Sequence, residues 1–548
     1  MTDSFTIDGT RFLSLVKGGA DYLGSKRTEI NDLNVFPVPD GDTGDNMYMT
    51  IRAGINSAEE RFSIGEVSSA VAHGMLLGAR GNSGVILSRI FYGLSEGFGD
   101  RQEADCATVI AALQKGIDEA YGAVSAPVEG TILTVYREAS EYAAAHLREG
   151  TSLSKGLTLL CEAAEKSLAN TPELLEVLKN AGVVDSGGAG LLCILEGMRR
   201  IAEGGTDDFF SAEPSTTVAK LPDLSLFTED STLDYGYCTE FLLRLQRCKT
   251  DIERFDMEAF QAELNALGNS IVAFRDGSIV KVHIHTFTPW EVLRFAQEYG
   301  EFLTMKIENM ALEHNGREQE KKTVKKPHRP YGTVAVAMGD GIKEAFLSMG
   351  ADAVIGGGQC ANPSAADFVE AFEQVCADTI FVFPGDSNII LTAKQAGELY
   401  GKADVRVIPC KSVGEIYAAL SSLDYSVGDT DAIEQALVSS LREVVCGSVS
   451  RACRNTEMNG IHVRENDYIG YRGSTVLSDA PNRADALYQL TERLGTGDFG
   501  VLLLICGADT TEKETAEVYE KLSKTYRRTE VIMMDGGQPI QDYIILLQ

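Results

Sequence analysis

Strand-like alternation is nearly absent from the first 205 residues, and no other feature constrains the fold of this chain so strongly. Apolar residues recur there at helical spacing instead, as at Phe12, Leu13, Leu15 and Val16 within a predicted helix over 7–20. Further helices are predicted over 47–57, 64–77, 85–93, 107–124, 132–148, 153–169, 172–180 and 191–202, making this an all-α region. Its glycines cluster at helix ends. Four connections (34–46, 78–84, 129–131 and 185–190) set glycine and small polar side chains directly before an apolar helix, where unpaired N–H groups and the helix dipole favour an anion. Any one of them alone reads as an ordinary N-cap; four beside an acidic loop point to a nucleotide site.

The acidic loop is Asn34-Val35-Phe36-Pro37-Val38-Pro39-Asp40-Gly41-Asp42-Thr43-Gly44-Asp45-Asn46, with three carboxylates in six residues. Two carboxylates ~4 Å apart repel by ~1 kcal/mol in water and ~4 kcal/mol at an effective dielectric of ~20, so a cation is expected. Pro37 and Pro39 stiffen the approach, while Gly41 and Gly44 permit positive φ, so Asp40 and Asp42 can be turned toward one point. All-oxygen ligands on a tight loop suit Mg²⁺. A calcium hand starting at Asp40 would need Gly at Asp45 and Glu at Ile51, and fails at both. A surface turn capping the next helix is the plain alternative. Neither standard phosphate fingerprint occurs: GxxxxGK[ST] is absent, and the GxGxxG pattern starting at Gly356 breaks at Ala361.

At 548 residues the chain has room for several domains. The formal charge of −31, from 49 basic and 80 acidic residues, argues against a nucleic-acid partner. Eleven cysteines without a CxxC pair read as reduced thiols of a cytoplasmic protein. No uninterrupted apolar run approaches 18 residues, so no transmembrane segment is expected.

NVFPVPDGDTGDNM, GARGNSGVILS, EGTILTV and VVDSGGAGLL together resemble the nucleotide-binding domain of the dihydroxyacetone kinases, in the form that opens the ATP-binding subunits of bacterial fatty-acid kinases. The resemblance implies a helical barrel over 1–205 that binds ATP with two Mg²⁺ ions. It implies Asn34, Asp40 and Asp42 as magnesium ligands, the two aspartates being catalytic. Thr43, Gly44, Asn46, Gly81, Asn82, Ser83, Gly84, Thr131, Asp185, Ser186 and Gly187 would lie around the nucleotide. Asp45 stands where that family usually has Thr, and its extra charge is expected to alter phosphate or metal affinity.

A polar stretch over 204–221 reads as a linker to an α/β middle domain, 222–315, with strands expected at 236–245, 270–274 and 279–285 and a helix at 257–267. On a strand, His283 and His285 share a face, and Cys238 from a neighbouring strand would add a thiolate. HxH with a distant Cys is more often structural. YGYCTEF and KVHIHT also resemble the fatty-acid kinase subunits, which implies zinc on Cys238, His283 and His285, while Thr286-Phe287-Thr288 replaces the acidic residues that often follow.

A second linker, 316–330, precedes an α/β C-terminal domain over 331–548, whose alternation of strands and helices argues a parallel sheet covered by helices. Its loops 356–364 and 384–388 sit at strand ends where a ligand would bind, an N-cap at Ser364 being the plain alternative. ANPSAADFVEAFEQV, NIILTAKQAGEL, VRVIPCKSV and DGGQPIQDY resemble the C-terminal domain of the same kinase subunits, itself similar in fold to the fatty-acid-binding partner. The expected function is therefore phosphorylation of a fatty-acid carboxylate, presented by a separate carrier protein, to an acyl phosphate for phospholipid synthesis, by a homodimer. A dihydroxyacetone-type hydroxyl kinase and a non-catalytic nucleotide-sensing scaffold are the alternatives.

Overall fold

The computed structural model describes residues 6–34, 41–124, 126–204, 237–276, 278–309, 328–356 and 362–548. Two compact units emerge, one from Met1–Phe210 with Pro327–Gln548, the other from Ser211–Lys326.

The N-terminal part of the first unit is mostly helical: α1 (Gly9–Ser25), α2 (Arg27–Asn31), α3 (Thr43–Ser57), α4 (Ile64–Gly78), α5 (Gly81–Phe98), α6 (Cys106–Gly122), α7 (Ile132–His146), α8 (Leu153–Leu174), α9 (Glu176–Ala181) and α10 (Ser186–Ala202). Two-residue strands β1 (Ile7–Asp8) and β2 (Glu103–Ala104) pair antiparallel. Side-chain oxygens cap many starts: Asp8 accepts from Arg11 N at 2.7 Å, and Asp105 from Thr108 N at 2.8 Å. From α3 to α8 each long helix packs on the next, and α10 joins α8 to α1, which returns to α3 and α4. Leucine, isoleucine, valine and phenylalanine from every long helix fill one core.

The helix starts differ from expectation. α3, α5 and α10 begin at Thr43, Gly81 and Ser186, inside the motifs rather than after them. Their glycines serve close packing: a Cβ on Gly44 would lie 2.6 Å from Arg27 O, and one on Gly84 2.4 Å from Thr50 Oγ1. Positive φ is found at Gly81 (58°), whereas Gly41 and Gly44 do not use the freedom that glycine gives them. The predicted break at 169–172 is also absent, since α8 runs through Pro172.

In the second unit, β3 (Tyr237–Leu245), β4 (Asn269–Asp276), β5 (Ile279–Thr286) and β6 (Gly300–Asn309) form an antiparallel sheet in the order β4-β5-β3-β6. Helices α11 (Met257–Leu267) and α12 (Pro289–Gln297) join it, and Phe241, Leu243, Phe260, Val280, Val282 and Val292 make the core. Register sets Cys238 opposite His285 and Glu240 opposite His283. The side chains of Cys238, His283 and His285 lie outside the described residues.

The C-terminal part of the first unit holds two sheets. β7 (Arg329–Ala337), β8 (Ala353–Gly356), β9 (Ala377–Phe383) and β10 (Asp404–Val407) are parallel, ordered β10-β9-β7-β8, with α13 (Asp340–Ser348), α14 (Ala365–Val375), α15 (Ser387–Tyr400), α16 (Val413–Ser421) and α17 (Thr430–Ser440) around them. Beside β12 (Thr456–Met458) and β13 (Ile461–Val463), which pair as a hairpin, the second sheet draws on β11 (Val445–Arg451), β14 (Tyr468–Arg472) and β15 (Thr475–Ala480). After α18 (Arg483–Arg493) it takes β16 (Val501–Cys506) and, beyond α19 (Glu512–Thr525), β17 (Glu530–Asp535) and β18 (Gln541–Leu547). Its order is β15-β14-β11-β18-β16-β17, and only β16 and β17 are parallel. The parallel-sheet expectation therefore holds for the first sheet and not the second, where β18 runs antiparallel to both neighbours.

Helices α14 and α15 pack on α4 and α5 of the helical region. Buried Gln395 donates to Leu76 O at 2.7 Å, Arg89 Nε donates to Gln395 Oε1 at 3.1 Å, and Ala365 N donates to Ala79 O at 3.2 Å.

Candidate functional site

Four helix starts meet at one cavity. α3 brings Asp42, Thr43 and Asn46, α5 brings Asn82, Ser83 and Ile86, α7 brings Thr131 and Ile132, and α10 brings Asp185, Ser186 and Gly187. Asn34 and Asn388 complete the lining of about 190 Å³. Among the predicted site residues, Gly44, Gly81 and Gly84 stand behind this surface, and Asp40 lies outside the described residues. Two larger surface hollows, near His73 and near Tyr142, hold none of the four motifs.

Local bonding explains which side chains face the cavity. Asp42 occupies the N-cap of α3 but makes no capping bond. Asn31 takes that role, its Oδ1 accepting from Gly44 N at 2.7 Å while its Nδ2 donates to Asp45 Oδ2 at 2.7 Å. Arg27 Nη1 lies 3.3 Å from Asp45 Oδ1. Asp45, the residue expected to disturb the site, is therefore bound to α2 and absent from the lining. Asp42 Oδ2 accepts from Asn362 Nδ2 at 2.7 Å, a partner from the loop before α14.

Gly81 is required as glycine twice over, by its φ of 58° and by Asn46 Nδ2 only 2.5 Å from where a Cβ would sit. That approach brings Asn82 and Ser83 beside α3. Asn82 Nδ2 donates to Asn388 Oδ1 at 3.3 Å, while the buried Asn82 Oδ1 has no hydrogen-bond partner. Opposite, Ser186 Oγ donates to Thr43 Oγ1 at 3.2 Å. Asp185 caps α10, accepting from Gly188 N at 2.7 Å, and burial pushes its carboxyl up to about 6 against the pull of the Gly188 and Ile132 amides.

Hard oxygen donors and four helix N-termini fit a metal–polyphosphate ligand, and the orphaned buried acceptor of Asn82 fits a donor on the same ligand. Among the described residues the lining carries two carboxylates and no basic side chain, so an anionic ligand needs its own cation. Sequence reasoning does not single out Asn362 or Asn388, although both fall in loops that it marks as ligand-prone. Ile86 and Ile132 fall in the predicted helices 85–93 and 132–148 and are not singled out there. Among the described residues no group of three His, Cys, Asp or Glu side chains is arranged to hold a metal, and no helix is long and apolar enough to cross a membrane.

Residues 37–200 match the DAK2 domain, 234–317 the FakA-like middle domain of fatty acid kinases, and 332–548 the FakA-like C-terminal domain of the same kinases. Protein YloV of Bacillus subtilis is 39% identical over 557 residues, covering 98% of this chain and 99% of that protein. The chain belongs to the FakA-like fatty acid kinase family. Another relative in the family, an uncharacterized protein of Staphylococcus haemolyticus, is 36% identical over 558 residues and covers 99% of each chain. Among solved structures, DegV, a fatty acid binding protein from Bacillus subtilis, covers 40% of this chain and 99% of its own, at 12% identity and a TM-score of 0.31. The dihydroxyacetone kinase of C. freundii in complex with AMP-PNP and Mg²⁺ covers 35% and 33%, at 19% identity and a TM-score of 0.26.

Proposed function

We propose that the chain is the ATP-binding component of a cytoplasmic fatty-acid kinase, which phosphorylates the carboxylate of a fatty acid held by a separate carrier protein and yields an acyl phosphate for phospholipid synthesis. The observation that carries this reading is the convergence on one cavity of ten residues named from four separated motifs. In it, 1–205 is a helical barrel, 222–315 a middle domain and 331–548 a C-terminal domain; the return of α10 to α1 supports the barrel.

Asn34, Asp42 and Asp40 would hold two Mg²⁺ ions, and bound Mg·ATP supplies the phosphoryl group with its charge neutralised. The N-termini of α3, α5, α7 and α10 direct amide N–H groups and the positive dipole end at the phosphates. Ile86 and Ile132 exclude water from one wall. The described walls are smaller than the ~300–1,000 Å³ of a typical ligand pocket, so they enclose part of a nucleotide. A fatty-acid carboxyl, with a pKa near ~4–5, is ionised at pH 7 and needs no base. The chain's task is then alignment and electrostatic compensation.

A hydroxyl acceptor would need a proton acceptor, and among the described residues no histidine lines the cavity. His146 Nδ1 is engaged with Tyr142 O at 2.8 Å, and His73 lines a different hollow. Asp185 is occupied in capping α10. The carboxylate reading is therefore favoured over the dihydroxyacetone-type kinase. Asp42→Asn, assayed with ATP, fatty acid and carrier by hydroxylamine trapping, is expected to lose acyl phosphate formation; undiminished turnover would sink the assignment.

Zinc on Cys238, His283 and His285 belongs to the same proposal, supported by the register of β3 and β5. Homodimerisation is supported by β6, an edge strand exposing Leu303, Met305 and Ile307 at alternate positions.

A further inference from the structure

The cavity is not built by the helical region alone. Asn388 of the C-terminal lobe lines it, Asn362 of the same lobe stands behind a lining residue, and each holds a polar residue of the helical region. Asn362, itself 8% exposed, donates its amide to Asp42 Oδ2 at 2.7 Å. Arg80 at the head of α5 fixes Asn362 in turn, donating to its carbonyl at 2.6 Å while lying 3.7 Å from Asp367. Asn388, in the first turn of α15, lines the cavity and accepts from Asn82 Nδ2 at 3.3 Å. With that nitrogen engaged, Asn82 presents its buried, unpartnered Oδ1 as the remaining acceptor.

An amide on one oxygen of a carboxylate carries no charge, so it does not compete electrostatically with a cation. It fixes the plane in which the carboxylate can ligate, and such outer partners are worth roughly 10–100-fold in metal affinity. A buried acceptor without a donor is unfavourable by roughly 1–3 kcal/mol until a ligand donor meets it. Asn388 thus sets the Asn82 amide to receive a donor, such as a nucleotide hydroxyl or amine, rather than a phosphate oxygen.

We propose that the C-terminal lobe completes the nucleotide site in cis, Asn362 positioning Asp42 and Asn388 positioning Asn82. This rests on the reading of the cavity as a Mg·ATP site.

The test is calorimetric titration of ATP into the full-length chain over a range of Mg²⁺ concentrations, with apo melting temperatures recorded alongside. Asn362→Ala is expected to raise the half-saturating Mg²⁺ concentration by roughly 10–100-fold. Asn362→Gln, which keeps the amide donor, should recover part of it. Asn388→Ala is expected to weaken ATP binding at saturating Mg²⁺ by about fivefold, the value of one net hydrogen bond. Arg89→Ala, which removes a contact between the same lobes outside the cavity lining, should leave both quantities within about twofold. Wild-type binding by both asparagine variants overturns the proposal, as does an equal loss in Arg89→Ala. Should Asn362→Ala melt far below the wild type, Asn388→Ala decides alone, and unchanged binding by it overturns the proposal. A wild-type chain that binds no Mg·ATP overturns the kinase reading and this inference together, a result distinct from wild-type binding that the variants leave untouched.

Discussion

Asp45→Ala should lower the stability of the helical region by about 2 kcal/mol and leave Mg·ATP affinity within about twofold of wild type. The carboxylate loses the Asn31 amide at 2.7 Å and the Arg27 guanidinium at 3.3 Å, and its charge leaves the first turn of α3. With 35% and 38% of the two charged side chains exposed, the ion pair belongs to the ~0.2–1 kcal/mol class. A half-exposed charge-assisted bond adds roughly 1 kcal/mol and the dipole term ~0.3–1 kcal/mol. About 2 kcal/mol in a region of this size moves the melting transition by about 4–8 °C. Hydrogen exchange over residues 27–57 would localise the loss, since several lobes need not unfold together. The affinity half of the prediction is the sharper one. An unpaired carboxylate ~8 Å from a phosphate, at an effective dielectric of ~20, repels it by ~2 kcal/mol, so its removal would tighten binding ~30-fold. Because Asp45 is turned onto α2, that gain is not expected. Tenfold tighter ATP binding by Asp45→Ala, or an unchanged melting transition, would refute the reasoning.

Gly93→Ala on α5 places a Cβ 2.4 Å from Lys115 O and 2.6 Å from Gly116 Cα of α6, rigid backbone that cannot step aside. The overpacking penalty of ~1–3 kcal/mol should exceed the ~1 kcal/mol gain in helix propensity, giving net destabilisation by thermal unfolding. Asp185→Asn keeps an acceptor for Gly188 N–H and cannot ionise. Since the carboxyl is raised from 3.8 to about 6 in the folded chain, its contribution to wild-type stability is fullest below about pH 4 and is lost as pH rises through about 6. The variant's relative stability should therefore grow across that window, by up to about 3 kcal/mol, and level off above it; a pH-independent difference in melting temperature would contradict this. Met305→Lys should convert a dimer to a monomer in light scattering, and an unchanged mass removes β6 from the interface. Elemental analysis should find zinc in the wild type and less in Cys238→Ala, the absence of zinc from both ruling the site out.

The motifs are legible because each packs its chemistry into a few adjacent residues. Asp185-Ser186-Gly187 announces a capped helix start in any context, and the structure needs only to bring four such starts together. The role of their glycines is not legible. Gly44 and Gly84 look like loop residues, yet each marks a neighbouring atom within 2.6 Å of its missing Cβ. The setting of Asp45 is not legible for a related reason: local sequence shows its charge but not Arg27 and Asn31, which hold it. Asn362 and Asn388 act on partners about 300 residues away, and no local pattern encodes such a pairing. The antiparallel run of β18 is hidden because the buried stretches Leu502–Cys506 and Tyr543–Leu547 are continuous apolar runs in either direction.

The sequence separation of 320 between Asp42 and Asn362 also sets a clock. At ~5–20 residues per second, a ribosome releases the acidic loop roughly 15–60 s before the asparagine that braces it. Among the described residues the core of the helical region draws on Ile7 to Ala202, so that region can close while the rest of the chain is still being made. Its cavity then waits, with its four motif-bearing helix starts in place and the bracing asparagines unsynthesised. Newly made chains would thus gain a complete site only in the later part of translation.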